Sequence, residues 1–193
     1  MNYLAHLHLV NLAGSSLCDN LMTNYVRGNP WDVWSQPIAE GIQLHRRIDV
    51  TTDTLPEVCP ARALFRGKNR RVAPIALDVI WDHFLSLHWD TIQLEISLPT
   101  FLPDCYSVIQ PELSSTPTLF QTLNHHLWAE RWMVRYADAA WLEKVFIGIA
   151  SRRRRLAAPG DSHRDFLDNY QNLIEIFWQF YPKIRNRAAR KQL

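Results

Sequence analysis

Nine residues, His45-Arg46-Arg47-Ile48-Asp49-Val50-Thr51-Thr52-Asp53, bring an imidazole, two guanidiniums and two carboxylates into one short stretch. His45, Asp49 and Asp53 recur every four residues, so on a helix that reaches Asp49 the first two share a face one turn apart. A neutral imidazole and a carboxylate so placed can hold a divalent cation, and the paired arginines can grip a phosphate beside it. The same stretch also reads as a helix end with solvated charges and a local His–Asp hydrogen bond.

Further donors lie at His6 and His8 and at Asp78, Asp82 and His83. His6 and His8 are two apart, so on a helix only one of them can join a shared site. Asp78 and Asp82 stack four apart beside an apolar stripe that includes His83. A lone histidine there is most often a core residue, but buried acids next to it need a partner or a metal. Helices that each offer an inward His or Asp are how an α-helical protein builds a metal centre. Mixed imidazole and carboxylate donors suit Mn, Fe, Zn or Mg, and such an ion makes a nucleophile from water at neutral pH and neutralises a phosphate.

The elements that must position these groups read as helices. Residues 2–12 are mostly apolar, and Ser15 or Ser16 can cap a helix running to about Val26, where Arg27-Gly28-Asn29-Pro30 stops it. Pro37 suits a first helical turn leading into His45. Pro56 or Pro60 can start a short helix to about Phe65, followed by a basic turn over residues 66–71. Val72, Ala76, Val79, Ile80, His83 and Leu87 recur at helical spacing, with Pro74 in the first turn. Four prolines between 95 and 118 predict a looser connection with at most short helices. Leu119 to Tyr136 has helical period, Asp138 can cap a helix to about Arg155, and Asp161 or Ser162 can cap the last one. Pro182 is expected to kink or end that helix, leaving a basic tail. No long strand-period segment, hairpin turn or repeat appears, so the expectation is an all-α fold, a single domain over residues 1–193.

Bulk properties narrow the function classes. A chain of 193 residues with 47% hydrophobic and 21% charged residues can bury a proper core. Six glycines and no GxGxxG or Walker pattern argue against a backbone phosphate loop. A formal charge of +2 implies no broad nucleic-acid surface. Seventeen arginines against four lysines favour bidentate contact with phosphates or an acidic partner. Cys18, Cys59 and Cys105 form no CxxC pair, which suits a reducing compartment and gives no zinc-thiolate site. With no signal-peptide pattern and no apolar run long enough to span a bilayer, the chain is expected to be cytoplasmic.

Met1-Asn2-Tyr3-Leu4-Ala5-His6-Leu7-His8-Leu9, Tyr25-Val26-Arg27-Gly28, His45-Arg46-Arg47-Ile48-Asp49 with Thr52-Asp53, Asp78 to His83 with Trp89, and Trp178-Gln179-Phe180-Tyr181-Pro182 follow in order along nearly the whole chain. Together they resemble the acyl carrier protein phosphodiesterase family. The resemblance implies hydrolysis of the phosphodiester that joins 4'-phosphopantetheine to a serine of holo acyl carrier protein, with Mn2+ as cofactor or Mg2+ or another divalent ion in its place. It also implies a distorted relative of the HD-domain metal phosphohydrolases, although the adjacent pair here runs Asp82-His83 rather than His-Asp. Read through it, His6, His45, Asp49, Asp82 and His83 are the metal-ligand candidates, and Asn24, Asp53 and Asp78 are candidate catalytic or ligand-orienting groups. Arg27, Arg46 and Arg47 are candidates for holding the phosphate or an acidic protein surface, with Arg70-Arg71 and Arg152 to Arg155 as a possible basic rim.

One position departs from the family. Its pattern reads Gly-Asn-Leu-Leu-Ala-Asp-Phe-Val-Arg-Gly, whereas here Asn24 stands where the acid would be, four residues before Gly28. An amide is a neutral, weaker ligand and cannot act as a base. Two other classes stay open: an HD-like phosphohydrolase acting on a nucleotide, and a weakened or non-enzymatic carrier-protein binder. Membrane and nucleic-acid partners are not expected.

Overall fold

Tyr3–Ala13 forms α1. Leu4 through Val10 are buried on every side of it, as befits a helix at the centre of the core rather than on its surface. It ends where Gly14 takes a left-handed conformation (φ 66°) and its N–H returns to Asn11 O, a turn that glycine makes at little steric cost. The computed structural model describes residues 1–152 and 160–193, and the side chains of 1–149 and 162–193.

Ser16 caps α2 (Leu17–Leu21) by accepting from Asp19 N, as its position suggests. The helix expected to run on to Val26 instead tightens into a 3-10 turn at Met22–Tyr25. There the Thr23 hydroxyl bonds back to Asp19 O at 3.2 Å, and the tighter turn swings Asn24 and Tyr25 to a cavity wall. Next, α3 (Gln36–Thr54) begins with Pro37 in its first turn and carries the whole His45–Asp53 stretch in one helix. At Gly41 a Cβ would meet Asp19 Cβ at 2.7 Å, so the bare backbone lets α2 close onto α3.

Two 3-10 turns, Cys59–Leu64 and Gly67–Arg71, lead into α4 (Ala73–Leu87), which has Pro74 in its first turn. The short α5 (Trp89–Ile92) follows. The region expected to be loose contains α6 (Leu98–Ile109), three turns long with Pro103 inside it. Pro99 falls in the first turn, where it costs nothing, and the buried face Leu98, Phe101, Leu102, Cys105 and Ile109 outweighs the bond lost at Pro103.

The helix expected from Leu119 to Tyr136 is broken into α7 (Thr118–Ala129) and α8 (Trp132–Arg135) by Arg131, which has φ 54°. Asp138 accepts from Ala140 N ahead of α9 (Trp141–Arg152). The last segment is two helices, α10 (Gly160–Asp168) and α11 (Tyr170–Ala189). They part at Asn169, whose side chain donates to Leu64 O and Asp165 O. The Asp161 side chain falls outside the described residues. Pro182 lies within α11 without ending it, because Phe177, Phe180, Tyr181, Ile184 and Ala188 keep one face buried to the helix's end. The architecture is all-α, with no strand among the described residues, and one hydrophobic core runs from Met1 to Ala188. No described helix is long and apolar enough to cross a membrane.

His8 shows how α1 divides its two histidines. It points away from His6 into an aromatic pocket of Trp89 and Phe101 and shares a 2.8 Å hydrogen bond with Tyr181 Oη. Burial, helped by the charge of Arg185, lowers its pKa to about 3. Since an unfolded histidine titrates near pH 6.5, the unfolded chain binds the extra proton between these values, and His8 costs stability as pH falls through that window. Between pH 6 and 5 the native protein is expected to lose about 1.2 kcal/mol more than His8→Gln in urea titrations.

Candidate metal centre

His6 on α1 and His45 on α3 stack face to face, with ring centroids 3.7 Å apart and planes within 5°. Both are buried, and each aims Nε2 at a different oxygen of Asp49: His6 at Oδ1 (3.1 Å) and His45 at Oδ2 (3.3 Å). Donor atoms of these three residues all lie within 4.8 Å of one another. The spacing of His45 and Asp49 supplies one edge of this triangle, and the crossing of α1 over α3 supplies the third corner.

The protonation pattern follows from the neighbours. Asn20 donates its amide to Gly41 O, which leaves its carbonyl to accept from His45 Nδ1 at 3.2 Å. That contact sets the orientation of the His45 ring and turns its Nε2 toward the Asp49 carboxylate. Burial, then the proximity of His45, lowers the His6 pKa to about 3, so its ring is neutral at neutral pH. Burial alone would raise Asp49, but hydrogen bonds from His45 and His6 and the Met1 ammonium hold it well below the usual carboxylate range. Two imidazoles and a carboxylate are a mixed nitrogen and oxygen donor set that suits a divalent ion. Among the described residues the buried Nδ1 of His6 has no hydrogen-bond partner, and the donor atoms of both rings and the carboxylate converge, so the donor set fits a cation. Asn20→Ala is expected to weaken Mn2+ binding by about 10- to 100-fold through loss of this orientation, measured by equilibrium dialysis.

The triad opens on a cavity of about 380 Å³ lined by Asn24, Tyr25, His45, Asp49, Asp78 and Trp132, among others. Asp49 keeps 40% of its side chain exposed, so the carboxylate faces the cavity from a buried pair of rings. Asp78 reaches the same cavity from α4 and accepts from the Met1 ammonium. Burial, set against that positive charge, raises its pKa to about 6.

Four expected participants are placed elsewhere. Asp82 is fully buried one turn deeper on α4, where its two oxygens accept from Leu4 N (2.7 Å) and Ala5 N (3.0 Å). It satisfies the open N–H groups at the start of α1 and so holds His6 in place from below. His83 has both ring nitrogens engaged, Nδ1 with Tyr136 O (2.7 Å) and Nε2 with Tyr170 Oη (3.0 Å). One residue further around α4, it faces α10 and α11 instead of α1. Asp53 pairs with Arg62 at 3.0 Å. Arg47 donates to Leu193 O at 3.0 Å, beside a separate surface pocket.

Arg46 donates to Gly28 O and Val26 O, which ties α3 to the loop that carries Asn24 and Arg27. Arg27, Arg70 and Arg71 are exposed. The side chains of Arg152 to Arg155 lie outside the described residues. Sequence reasoning passed over Asn20 and the Met1 amine as site groups. A buried asparagine in the apolar run of α2 was the available signal for Asn20, but its distance from His45 is not legible along the chain.

Residues 1–184 match the family model described as acyl carrier protein phosphodiesterase. The chain is 51% identical over 193 residues to a protein of that name from Serratia proteamaculans and 50% identical to one from Yersinia enterocolitica. A protein of the same name from Escherichia coli is 49% identical, and in all three the match covers 100% of both chains. No solved structure matches the chain.

Proposed function

Since the chain belongs to the acyl carrier protein phosphodiesterase family, we propose that it hydrolyses the phosphodiester between 4'-phosphopantetheine and a serine of holo acyl carrier protein. One observation carries the reading: the His6 imidazole from α1 converges with the His45 imidazole and Asp49 carboxylate of α3, beside a cavity that His45 and Asp49 line. His6, His45 and Asp49 would hold a divalent ion, which when bound would supply Lewis acidity toward the phosphodiester and lower the pKa of water at the site. Mn2+ is the proposed ion, and a mixed nitrogen and oxygen donor set also admits Mg2+ or Zn2+.

The chain's own groups have separable tasks. Asn20 holds the orientation of the His45 ring, and Asp82 anchors the start of α1 so that His6 meets His45. Asp78 and Asn24 border the space for the phosphate, and Asp78 is the group there able to take or return a proton. Hydrolysis adds water's OH to phosphorus and its remaining proton to the departing serine oxygen, giving apo carrier protein and phosphopantetheine. Arg27, tethered near the cavity by the Arg46 bonds to Val26 O and Gly28 O, and exposed Arg70 and Arg71 are proposed to meet an acidic protein surface. The roles of Asp53 and Arg47 in this reading are structural. A distant relation to HD-domain phosphohydrolases rests on the helical scaffold and the His/Asp donors, and a cytoplasmic location on the reducing character of three free cysteines.

Incubation with holo carrier protein and Mn2+ tests the reading. The expected result is a fall in carrier mass by one phosphopantetheine that chelator abolishes. An unchanged mass together with cleavage of a nucleotide would move the enzyme to another substrate class, and binding without cleavage would make it a carrier-protein binder. Asn24→Asp puts a second carboxylate at the cavity rim, and it is expected to bind Mn2+ about tenfold tighter, worth about 1.4 kcal/mol. Equal affinity and rate for the two forms would remove Asn24 from the site.

A further inference from the structure

The cavity beside the metal triad has an aromatic wall as well as a metal-facing one. Trp132 and Tyr136 line it together with Val145 and Ile149 of α9. Trp132 is half-buried, its indole N–H donates to Glu130 Oε2 at 3.0 Å, and the ring of Tyr3 lies 6.4 Å from its own. Its polar edge is therefore satisfied, and the rest of the indole is an apolar surface. Tyr136, one turn along, is buried, with its Oη accepting from Asn2. Both side chains belong to α8 and its end, a single turn too short to persist alone. The carbonyls of this turn show what holds it. The N–H groups of Tyr136, Ala137 and Asp138 return to Trp132 O, Val134 O and Arg135 O. Met133 O and Tyr136 O are taken by α4 instead: Ser86 Oγ donates to the first at 2.9 Å and His83 Nδ1 to the second at 2.7 Å. His83 and Ser86 are three apart on α4, so one face of that helix grips the whole turn.

Resting on the function proposed above, we infer that Trp132 is the subsite for the pantetheine arm, and that His83 and Ser86 are positioning residues that set it. The chemistry of the substrate matches the lining. Phosphopantetheine is charged at one end only: a carbon bearing two methyl groups follows close on the phosphate, and uncharged amides come after it. A cavity for it needs polar donors at the phosphate and an apolar face beside them. The triad and Asp78 give the first, and Trp132 with Val145 and Ile149 gives the second. An indole face receives methyl groups and amide planes alike, with no polar partner left to satisfy. His83, which the sequence offers as a ligand, thereby gains a different task. It follows Asp82 on α4, so one side chain anchors α1 with its His6 and the next anchors α8 with its Trp132. Adjacent residues set the metal side and the arm side of a single cavity.

Competitive inhibition of holo carrier protein cleavage separates the arm from the phosphate. The inhibitors are 4'-phosphopantetheine, methyl phosphate, which lacks the arm, and adenosine monophosphate, which carries a nucleoside in its place. In Trp132→Ala the preference for phosphopantetheine over methyl phosphate is expected to fall about tenfold. The fall should come from weaker phosphopantetheine inhibition alone, with Mn2+ affinity unchanged, and Trp132→Phe should keep most of the preference. His83→Ala and Ser86→Ala are expected to lose part of it. His83→Asn, whose amide can replace Nδ1 as donor to Tyr136 O, is expected to restore it. Equal weakening of both inhibitors in folded Trp132→Ala, or of neither, would overturn the subsite and leave the proposed function standing. A full preference in folded His83→Ala and Ser86→Ala would overturn their positioning role. Stronger inhibition by adenosine monophosphate than by phosphopantetheine would give the wall to a nucleoside and overturn the assignment to the arm. No cleavage of holo carrier protein by the unaltered protein would overturn the proposed function and the subsite together.

Discussion

Asp49→Asn is expected to reduce kcat/KM for holo carrier protein by at least about 1,000-fold, a loss of about 4 kcal/mol in transition-state stabilisation. No other side chain in the site has so many partners. Both imidazoles and the Met1 ammonium converge on its two oxygens, and it is the group of the triad that supplies negative charge. The amide preserves shape and hydrogen-bonding capacity while removing that charge, so the fold is expected to survive. Mn2+ affinity should fall in parallel with the rate, because ligand and catalyst are lost together. A variant that retains metal but not activity would assign Asp49 to proton transfer. One that retains both would remove the triad from the chemistry.

Asp82→Ala is expected to lower stability by about 3 kcal/mol, because it leaves the N–H groups of Leu4 and Ala5 buried without acceptors. For a chain of this size that corresponds to a fall in melting temperature of about 6–12 °C. Asp82→Asn keeps one acceptor and should lose about half as much. The two variants also separate a buried anchor from a ligand. An anchor changes melting temperature while folded protein still binds Mn2+, whereas a ligand loses metal binding at temperatures where the protein is fully folded. Urea titration and dialysis on the same preparations distinguish these outcomes.

The contrast between Asp49 and Asp82 marks where the sequence stops being informative. His45 and Asp49 are four apart on one helix, so their common face follows from helical geometry, and α3 places them 3.3 Å apart. Asp78 and Asp82 show the same spacing, yet only the first meets the cavity, because depth along α4 depends on where α1 crosses it. His83 fails for a related reason. A turn of about 100° to the next residue sends it toward Tyr170, and nothing local says which neighbour waits there. His6 was legible as a donor; spacing alone left it open against His8, the family resemblance favoured it, and the packing of α1 shows why, with α3 on one side and Trp89 on the other.

Proline misled the reading of elements at Pro103, and of the kink or end expected at Pro182 the end does not occur. In both helices a continuous apolar face extends past the proline, and burial of that face outweighs the missing backbone bond. Conversely, nothing in the side-chain pattern of residues 119–136 marks the break at Arg131, whose left-handed backbone is imposed by the turn into α8. The Ser16 cap was legible because capping is local chemistry, while Asp138 accepts from Ala140 N in the turn ahead of α9.

The claim that His6, His45 and Asp49 hold the catalytic ion is tested most directly by diffraction from crystals grown with Mn2+, using anomalous scattering to locate the metal. The account predicts a single strong peak about 2.1 Å from His6 Nε2, His45 Nε2 and an Asp49 oxygen. A peak at Asp82 and His83, or none at the triad under conditions that support carrier-protein cleavage, would contradict it.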